Sequence, residues 1–251
     1  MDLLIFSGQS NMQGQTEAVP CDEAVKKAVE YRLLTDELVE LKNPVGEDIE
    51  DMLLRSHLNR GSLVPYFCDE YIKICGNEVL AVHTAKGATI LAQWLDNNPD
   101  GARRYGKMLE KIRAAMKKAG NVDRKYFIWL QGESDAWAKT DGVSYIEGMI
   151  SLKNNLKRDI GIDKFMIICV GYFAIHNVGR EYDEVIMNAQ LNLPDIDPDF
   201  IVLTDITREL SLDEKWINPE AVGHYNNAAM KLIGTTAGRA AGNHTLSDMS
   251  K

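Results

Sequence analysis

Short apolar runs and segments of helical periodicity alternate along this chain. Runs of about four to eight apolar residues, often β-branched or aromatic and bounded by Gly, Pro, Asn or Asp, are typical of buried strands. They predict strands at Leu3–Ser7, Tyr31–Thr35, Leu38–Leu41, Glu78–His83, Lys125–Leu130, Phe165–Tyr172 and Phe200–Thr204. Apolar residues that recur every three or four positions predict a helix capped by Ser62 and further helices at Lys107–Lys118, Tyr145–Asp159, Asp183–Asn192 and Pro219–Arg239.

This alternation predicts an α/β fold. Buried strands joined through helices imply a mostly parallel sheet covered on both faces. Because no repeat, low-complexity tract or linker interrupts the pattern, we expect a single domain over residues 1–251. Ligands of such sheets bind beyond the carboxyl ends of the strands, so the turns that follow the strands are the places to look for chemistry.

Composition narrows the classes of partner. The 251 residues carry a formal net charge of −9, which argues against nucleic acid because phosphate binding needs clustered cations. Four cysteines at irregular spacings form no Cys/His cluster, so no metal site is expected. The longest apolar stretch, 165–175, is too short to cross a bilayer, which takes about 20 residues. With no signal peptide before the first strand, we expect no membrane partner and a cytoplasmic location, and the oligomeric state stays open.

The turn after the first strand places a serine directly beyond a buried run. Ser10 is a candidate nucleophile and its backbone N–H a candidate oxyanion donor, since Gly8 and Gly14 permit a tight backbone path. A plain N-cap serine is the alternative. The turn after the strand at 78–83 contains Gly87, whose N–H is a candidate second donor.

A third turn, Trp129–Trp137, sets polar and small residues between two tryptophans. Packing alone does not explain this composition. Gln131 is a candidate side-chain donor to an oxyanion, Glu133 a candidate acid and Trp137 a candidate surface for stacking a sugar ring. Ordinary packing at the rim is the competing interpretation for Trp137.

A serine nucleophile needs a base, and histidine is the usual one because its pKa lies near working pH. Of the five histidines, His224 stands in the most constrained context, twenty residues after Thr204, whereas His83 lies within a strand. The four turns together supply a nucleophile, oxyanion donors and a base in chain order. These are the parts of acyl transfer.

These segments also resemble a known superfamily, the SGNH hydrolases. Phe6–Met12 looks like block I in the form used by sialate O-acetylesterase-like proteins and by acetylxylan esterases of carbohydrate esterase family 6. Segment 86–94 is similar to block II, segment 129–135 to block III, and His224–Asn226 with Gly234 to block V. The resemblance runs from residue 3 to about residue 240.

The resemblance implies a three-layer α/β/α sandwich with a flavodoxin-like parallel sheet and no cofactor. It implies a serine esterase that deacetylates an O-acetylated carbohydrate, such as acetylxylan, a xylo-oligosaccharide or a sialic-acid-type sugar, through an acetyl-serine intermediate. By it, Ser10 attacks, His224 acts as base, and the N–H groups of Ser10 and Gly87 with the Gln131 side chain bind the oxyanion. The candidate substrate-binding residues are Gln9, Asn11, Trp94 and Trp137.

One position departs from the SGNH pattern. These enzymes commonly carry an Asp three residues before the histidine, and Ala221 occupies that position here. Glu133 is our first candidate for the missing triad acid, followed by Glu220 and Asp213. The remaining option is a Ser-His dyad in which a backbone carbonyl orients the imidazole.

Two other functions fit the same residues. A hydrolase of lipid esters or thioesters would prefer long acyl chains, although the polar third turn lacks the aliphatic walls that such chains need. A non-catalytic carbohydrate-binding relative would bind sugar without acylating Ser10. The sequence leaves the identity of the sugar open, and we expect the loops at 42–60 and 173–182 to determine it.

Overall fold

The computed structural model describes residues 1–54, 58–97, 99–173 and 179–250. The strands are β1 (Asp2–Gly8), β2 (Ala28–Arg32), β3 (Glu37–Glu40), β4 (Val79–His83), β5 (Lys125–Leu130), β6 (Lys164–Ile168) and β7 (Phe200–Thr204). The helices are α1 (Ser10–Gln13), α2 (Val64–Cys75), α3 (Pro99–Ala119), α4 (Glu133–Trp137), α5 (Gly142–Ile160), α6 (Arg180–Ile196), α7 (Thr207–Leu210) and α8 (Asn227–Met249). Among the described residues, 3₁₀ turns also cover Leu91–Trp94 and Glu214–Trp216.

One seven-stranded sheet in the order β3-β2-β4-β1-β5-β6-β7 forms the centre of the molecule. All its neighbouring strands are parallel except β2 and β3, which form an antiparallel hairpin at one edge. Beyond that hairpin, the order β4-β1-β5-β6-β7 is that of a flavodoxin-like sheet. The predicted α/β fold class is confirmed. In such a sheet the strand order reverses beside β1, so the crevice at its carboxyl end is the expected ligand site.

Helices cover both faces of the sheet, as the alternation of side chains along β5 shows. Tyr126 points to α8, where the Thr245 hydroxyl donates to the Tyr126 oxygen at 3.2 Å. The next residue, Phe127, points the other way and stacks on Trp129. Trp129 in turn packs edge-on against Trp94, whose 3₁₀ turn contacts α3 and α5. The molecule therefore has three layers.

Helices α2 and α8 approach closely because α8 presents glycines to its partner. A Cβ added at Gly234 would lie 2.4 Å from the Leu63 carbonyl oxygen, and one at Gly238 would lie 2.3 Å from that of Phe67. Neither distance is compatible with a side chain. The glycines therefore fix the spacing between the two helices of this layer.

Several predicted boundaries were wrong, including those of β2, which was predicted at Tyr31–Thr35 and spans Ala28–Arg32. The last helix begins at Asn227 rather than Pro219, because the Asn226 side chain caps it by accepting from the Ala229 N–H at 3.0 Å. Strand β6 ends at Ile168, not Tyr172. Beyond Cys169 the backbone leaves the sheet, and the Val170 N–H donates to the Gln190 side chain at 2.9 Å. Helix α3 begins at Pro99, earlier than the predicted Lys107.

No helix in the described ranges is both long and apolar enough to span a lipid bilayer.

Candidate active site

A cavity of about 430 Å³ opens at the carboxyl ends of β1, β4 and β5. Its lining comes from segments far apart in the chain and includes five of the predicted site residues. These are Gln9, Ser10, Gly87, Trp137 and His224. The sequence did not single out the other lining residues, which are Gln13, Gln15, Leu58, Ala88, Ile90, Ser134 and Phe173.

Ser10 is the first residue of α1 and directly follows the turn out of β1. The turn requires Gly8, which has a φ of +139° and leaves no room for a Cβ beside the Leu130 carbonyl. The Gln9 N–H donates to that same carbonyl oxygen at 3.0 Å, so the start of α1 is fixed to the end of β5. In the first turn of a helix the backbone N–H groups have no partner within the helix, which leaves the Ser10 N–H available as a donor.

Gly87 stands beside Ser10, the candidate nucleophile. A Cβ added to Gly87 would lie 3.3 Å from the Cβ of Ser10. Its N–H donates to Gln13 Oε1 at 3.1 Å, so this donor points at an amide oxygen that itself lines the cavity. That oxygen marks where a substrate oxygen could accept the same hydrogen bond. The sequence analysis missed Gln13 and Gln15 as lining residues. The signal that could have identified them is their position just beyond Ser10, on either side of Gly14.

His224 lies in the loop 217–226, which joins the 3₁₀ turn Glu214–Trp216 to α8, rather than on a helix. Its Nδ1 lies 3.2 Å from the Val222 carbonyl oxygen. Because a carbonyl only accepts, Nδ1 carries the proton and Nε2 is left as the basic atom. Phe173 packs edge-on against the imidazole, with ring centroids 5.7 Å apart. Burial lowers the pKa of His224, so the neutral, basic form predominates near neutral pH.

The predicted triad acids need correction, since in the described chain none of the three is the hydrogen-bond partner of His224. Glu133 is buried, and its Oε1 accepts from Asn11 Nδ2 at 2.8 Å. Glu220 forms an ion pair with Arg60 at 2.8 Å, and Asp213 forms one with Lys215 at 2.7 Å. The partner of the imidazole is the Val222 carbonyl, which matches the dyad option.

The environment of Glu133 is nevertheless unusual. Burial raises the pKa of Glu133 to about 7, although the Asn11 hydrogen bond lowers it. Its second oxygen, Oε2, is buried with no hydrogen-bond partner among the described residues. This carboxyl group accepts a hydrogen bond in the interior of the protein and does not line the cavity.

The predicted role of Gln131 as an oxyanion donor also needs correction, because its amide group donates hydrogen bonds to other residues of the protein. Its Nε2 lies 2.5 Å from Asp135 Oδ2 and 2.8 Å from the Thr89 carbonyl oxygen, and the residue is fully buried. Both N–H bonds are therefore directed at internal acceptors. Gln131 fixes the turn after β5 and does not offer a donor to the cavity.

The predicted substrate-binding residues divide into two groups. Trp137 lines the cavity with 61% of its surface exposed, and Gln9 lines it as well. Trp94 is fully buried and donates to Thr89 Oγ1 at 3.0 Å, so it belongs to the core. Asn11 is buried too and does not line the cavity, so its role as a substrate ligand is corrected.

Within the described residues, no group of three or more His, Cys, Asp and Glu side chains could hold a metal ion. The predicted loops that would determine substrate choice, 42–60 and 173–182, include residues 55–57 and 174–178, which lie outside the described part of the chain. Two of the five histidines, His57 and His176, also lie there.

The sequence matches the family described as "Carbohydrate esterase, sialic acid-specific acetylesterase" over residues 1–240. The chain belongs to this carbohydrate esterase family. The predicted resemblance is thereby confirmed. A probable carbohydrate esterase of Arabidopsis thaliana is 30% identical over 112 residues, a match that spans 45% of this chain and 39% of that relative.

Solved structures share the fold of this family member. An Arabidopsis thaliana protein superposes with a TM-score of 0.73 at 18% identity, covering 96% of this chain and 97% of that one. NanS gives 0.71 at 14% identity and covers 98% of both chains. A carbohydrate acetylesterase from Xanthomonas citri gives 0.57 at 16% identity, with 97% of this chain and 57% of that chain covered.

Proposed function

We propose that this carbohydrate esterase removes acetyl groups from O-acetylated carbohydrate through an acetyl-Ser10 intermediate, with His224 as the base. The observation that carries the proposal is the meeting of three groups in one cavity. Ser10, Gly87 and His224 come from turns distant in sequence and line the same space of about 430 Å³. That volume lies within the range of small-ligand sites.

The first half of the reaction acylates the enzyme. His224 Nε2 takes the proton of the Ser10 hydroxyl as Oγ attacks the acetyl carbonyl carbon. The carbonyl oxygen becomes an oxyanion and accepts from the Ser10 and Gly87 N–H groups, replacing Gln13 Oε1 at Gly87. The bond between the acetyl carbon and the sugar oxygen then breaks, and the imidazolium returns its proton to that oxygen.

The second half releases acetate. A water molecule gives a proton to His224 Nε2 and attacks the acetyl carbon. The bond to Ser10 Oγ breaks, and the imidazolium returns the proton to that oxygen. Throughout, the Val222 carbonyl accepts from Nδ1 and keeps the ring in the productive tautomer. This carbonyl takes over the orienting task that an Asp performs in a triad.

Two groups of the cavity wall suit a sugar, beside apolar side chains such as Leu58, Ile90 and Phe173. Gln15 offers an amide group, and Trp137 offers an exposed ring against which a sugar can stack. The family description names sialic acid-specific acetylesterases, and the Xanthomonas citri neighbour is a carbohydrate acetylesterase. O-acetylated sialic acid is therefore the first substrate to test and acetylated xylo-oligosaccharide the second.

Acetate release from a panel of acetylated sugars tests the proposal. We expect turnover of at least one sugar and of p-nitrophenyl acetate, and a loss of at least about 1000-fold in Ser10→Ala. Ser134→Ala is the matched control, because Ser134 lines the same cavity but has no part in the reaction. Full activity in Ser10→Ala would refute the nucleophile. A preference for long-chain esters would favour a lipid or thioester hydrolase, and sugar binding without acylation would favour a binding protein.

A further inference from the structure

Asn11 lies next to the nucleophile and connects three segments of the site. Its Nδ2 donates to Glu133 Oε1 at 2.8 Å and to the Gly223 carbonyl oxygen at 3.3 Å. Its Oδ1 accepts from the Tyr225 N–H at 3.3 Å. The residue is buried, with 1% of its surface exposed. A single side chain therefore binds the two residues that flank His224 and a carboxylate from the turn after β5.

The loop that carries His224 depends on such contacts because it contains no regular helix. It is held internally by the His224 N–H, which donates to the Ala221 carbonyl oxygen at 3.0 Å, and by the Asn218 N–H, which donates to the His224 carbonyl oxygen at 2.7 Å. The Tyr225 hydroxyl ties it to the Thr207 carbonyl oxygen in α7 at 3.1 Å. These bonds fix the conformation of the loop. The bonds of Asn11 fix the position of the loop relative to Ser10, because Asn11 directly follows Ser10 in α1.

Glu133 determines which way the Asn11 amide faces. An asparagine amide has a donor end and an acceptor end of nearly the same shape. Glu133 Oε1 accepts whether the carboxyl group is ionised or carries a proton on Oε2, so it selects the orientation in which Nδ2 faces it. Oδ1 must then face the Tyr225 N–H, and the second N–H of Nδ2 faces the Gly223 carbonyl. Reversal of the amide would set like groups against each other at all three contacts.

We propose that Asn11, oriented by Glu133, is a positioning residue that sets the location of His224 relative to Ser10. The inference rests on the proposed function for its effect on rate. It assigns Glu133 a task different from that of a triad acid, since the carboxylate acts on Asn11 and not on the imidazole. Neither side chain touches the substrate, so both act through His224.

A set of four variants tests this assignment. Asn11→Asp loses both donor bonds and brings a carboxylate to Glu133, so we expect kcat to fall by about 10- to 100-fold while KM stays within about twofold. Glu133→Gln still offers an amide oxygen to Asn11 and should stay within about fivefold of wild type. A triad acid changed to its amide would instead lose about 10,000-fold. Asn11→Ala removes the three bonds without adding charge and should match Asn11→Asp.

The double variant Asn11→Asp/Glu133→Gln gives the sharpest readout. Its glutamine amide can donate to the new aspartate, which restores the bond between positions 11 and 133 with donor and acceptor exchanged. We expect it to recover at least about tenfold in kcat over Asn11→Asp alone, a non-additive result expected of directly coupled residues. Strictly additive losses, or wild-type kcat in folded Asn11→Ala, would overturn the inference.

A measurement that needs no turnover separates this inference from the proposed function. The pKa of His224, titrated by NMR in the full chain, should rise toward its ordinary value in Asn11→Ala because the released loop exposes the ring. An unchanged pKa in that variant would contradict the positioning role. If the wild type releases no acetate but the pKa rises as expected, the proposed function fails and the positioning of the loop stands.

Discussion

At the scale of single residues, the imidazole of His224 is oriented by the Val222 carbonyl in place of a carboxylate. A carbonyl fixes the tautomer as an Asp does, but it brings no full negative charge to the ring. With no such charge at Nδ1 and with burial lowering its pKa, the imidazole stays neutral at a lower pH than an exposed histidine. In the proposed mechanism, the neutral form is the one that accepts the serine proton.

The dependence of kcat/KM on pH should report this environment. A lowered pKa means that the base is still unprotonated below about pH 6.5, the ordinary histidine value, so the acidic limb should lie below that pH. Ala221→Asp supplies the acid at the usual SGNH position and should raise the limb by about one pH unit through attraction to the imidazolium. A wild-type limb at or above the ordinary value, unmoved by Ala221→Asp, would contradict the account.

The sequence predicted some residues of the site better than others. Ser10 and Gly87 follow from motif and position, because each lies in a turn just beyond a strand, and His224 follows from its resemblance to block V. Gln131 and Trp94 do not, because their roles depend on which neighbours take their N–H groups. Asp135 binds Gln131 and Thr89 binds Trp94, and nothing in the local sequence chooses these partners over a ligand.

At the scale of secondary structure, the contact of α2 with α8 depends on glycine. Gly238→Ala would push a methyl group into the Phe67 carbonyl, which lies 2.3 Å from the added Cβ. We expect a loss of about 1–3 kcal/mol in the free energy of unfolding, measured by urea denaturation. Gly106→Ala in α3 is the control, since nothing lies within 4 Å of its added Cβ. That change should stabilise the protein by about 0.5–1 kcal/mol. Equal effects in the two variants would contradict the close packing.

The positions of most elements could be read from periodicity, and β5 and β7 have the predicted bounds. The error at the last helix has a physical cause. Residues 219–226 contain apolar side chains at intervals that suit a helix, yet Gly223 adopts a φ of +80° and Asn226 caps the helix. This irregular segment carries His224, so the sequence alone could not predict which groups surround its imidazole.

At the scale of the whole molecule, the strand order explains why distant turns meet. Because β1 lies between β4 and β5, the turns carrying Ser10, Gly87 and Ser134 follow neighbouring strands at one edge of the sheet. A parallel sheet could be predicted from alternating strands and helices. The order of the strands could not, since it depends on which buried faces fit together; the family resemblance supplied it.

A buried ion pair outside the site should make the stability of the whole molecule sensitive to the loss of either partner. Lys111 Nζ lies 2.9 Å from Glu47 Oε1, and both side chains are almost completely buried. Lys111→Met leaves Glu47 and the nearby Glu30 with one cation fewer, and we expect the free energy of unfolding to fall by about 3–5 kcal/mol. Without the ammonium group the folded-state pKa of both carboxyl groups rises, so this loss should grow with increasing pH.

Urea denaturation at mildly acidic and mildly alkaline pH measures both effects. Lys118→Met on the same helix is the control, because Lys118 pairs with Asp36 at the surface and should change the free energy of unfolding by no more than about 0.5 kcal/mol. A Lys111→Met variant as stable as this control would show that the buried pair contributes nothing.

The most direct test of the central claim is the detection of the acetyl-enzyme. Wild-type protein is mixed with p-nitrophenyl acetate, quenched in acid within the first turnovers, digested and mapped by mass spectrometry. We predict one acetyl group on the peptide that contains Ser10, and none on that peptide in Ser10→Ala. An acetyl group on a different residue would contradict the account. So would steady turnover by both the wild type and Ser10→Ala, with Ser10 unmodified in the quenched wild-type samples.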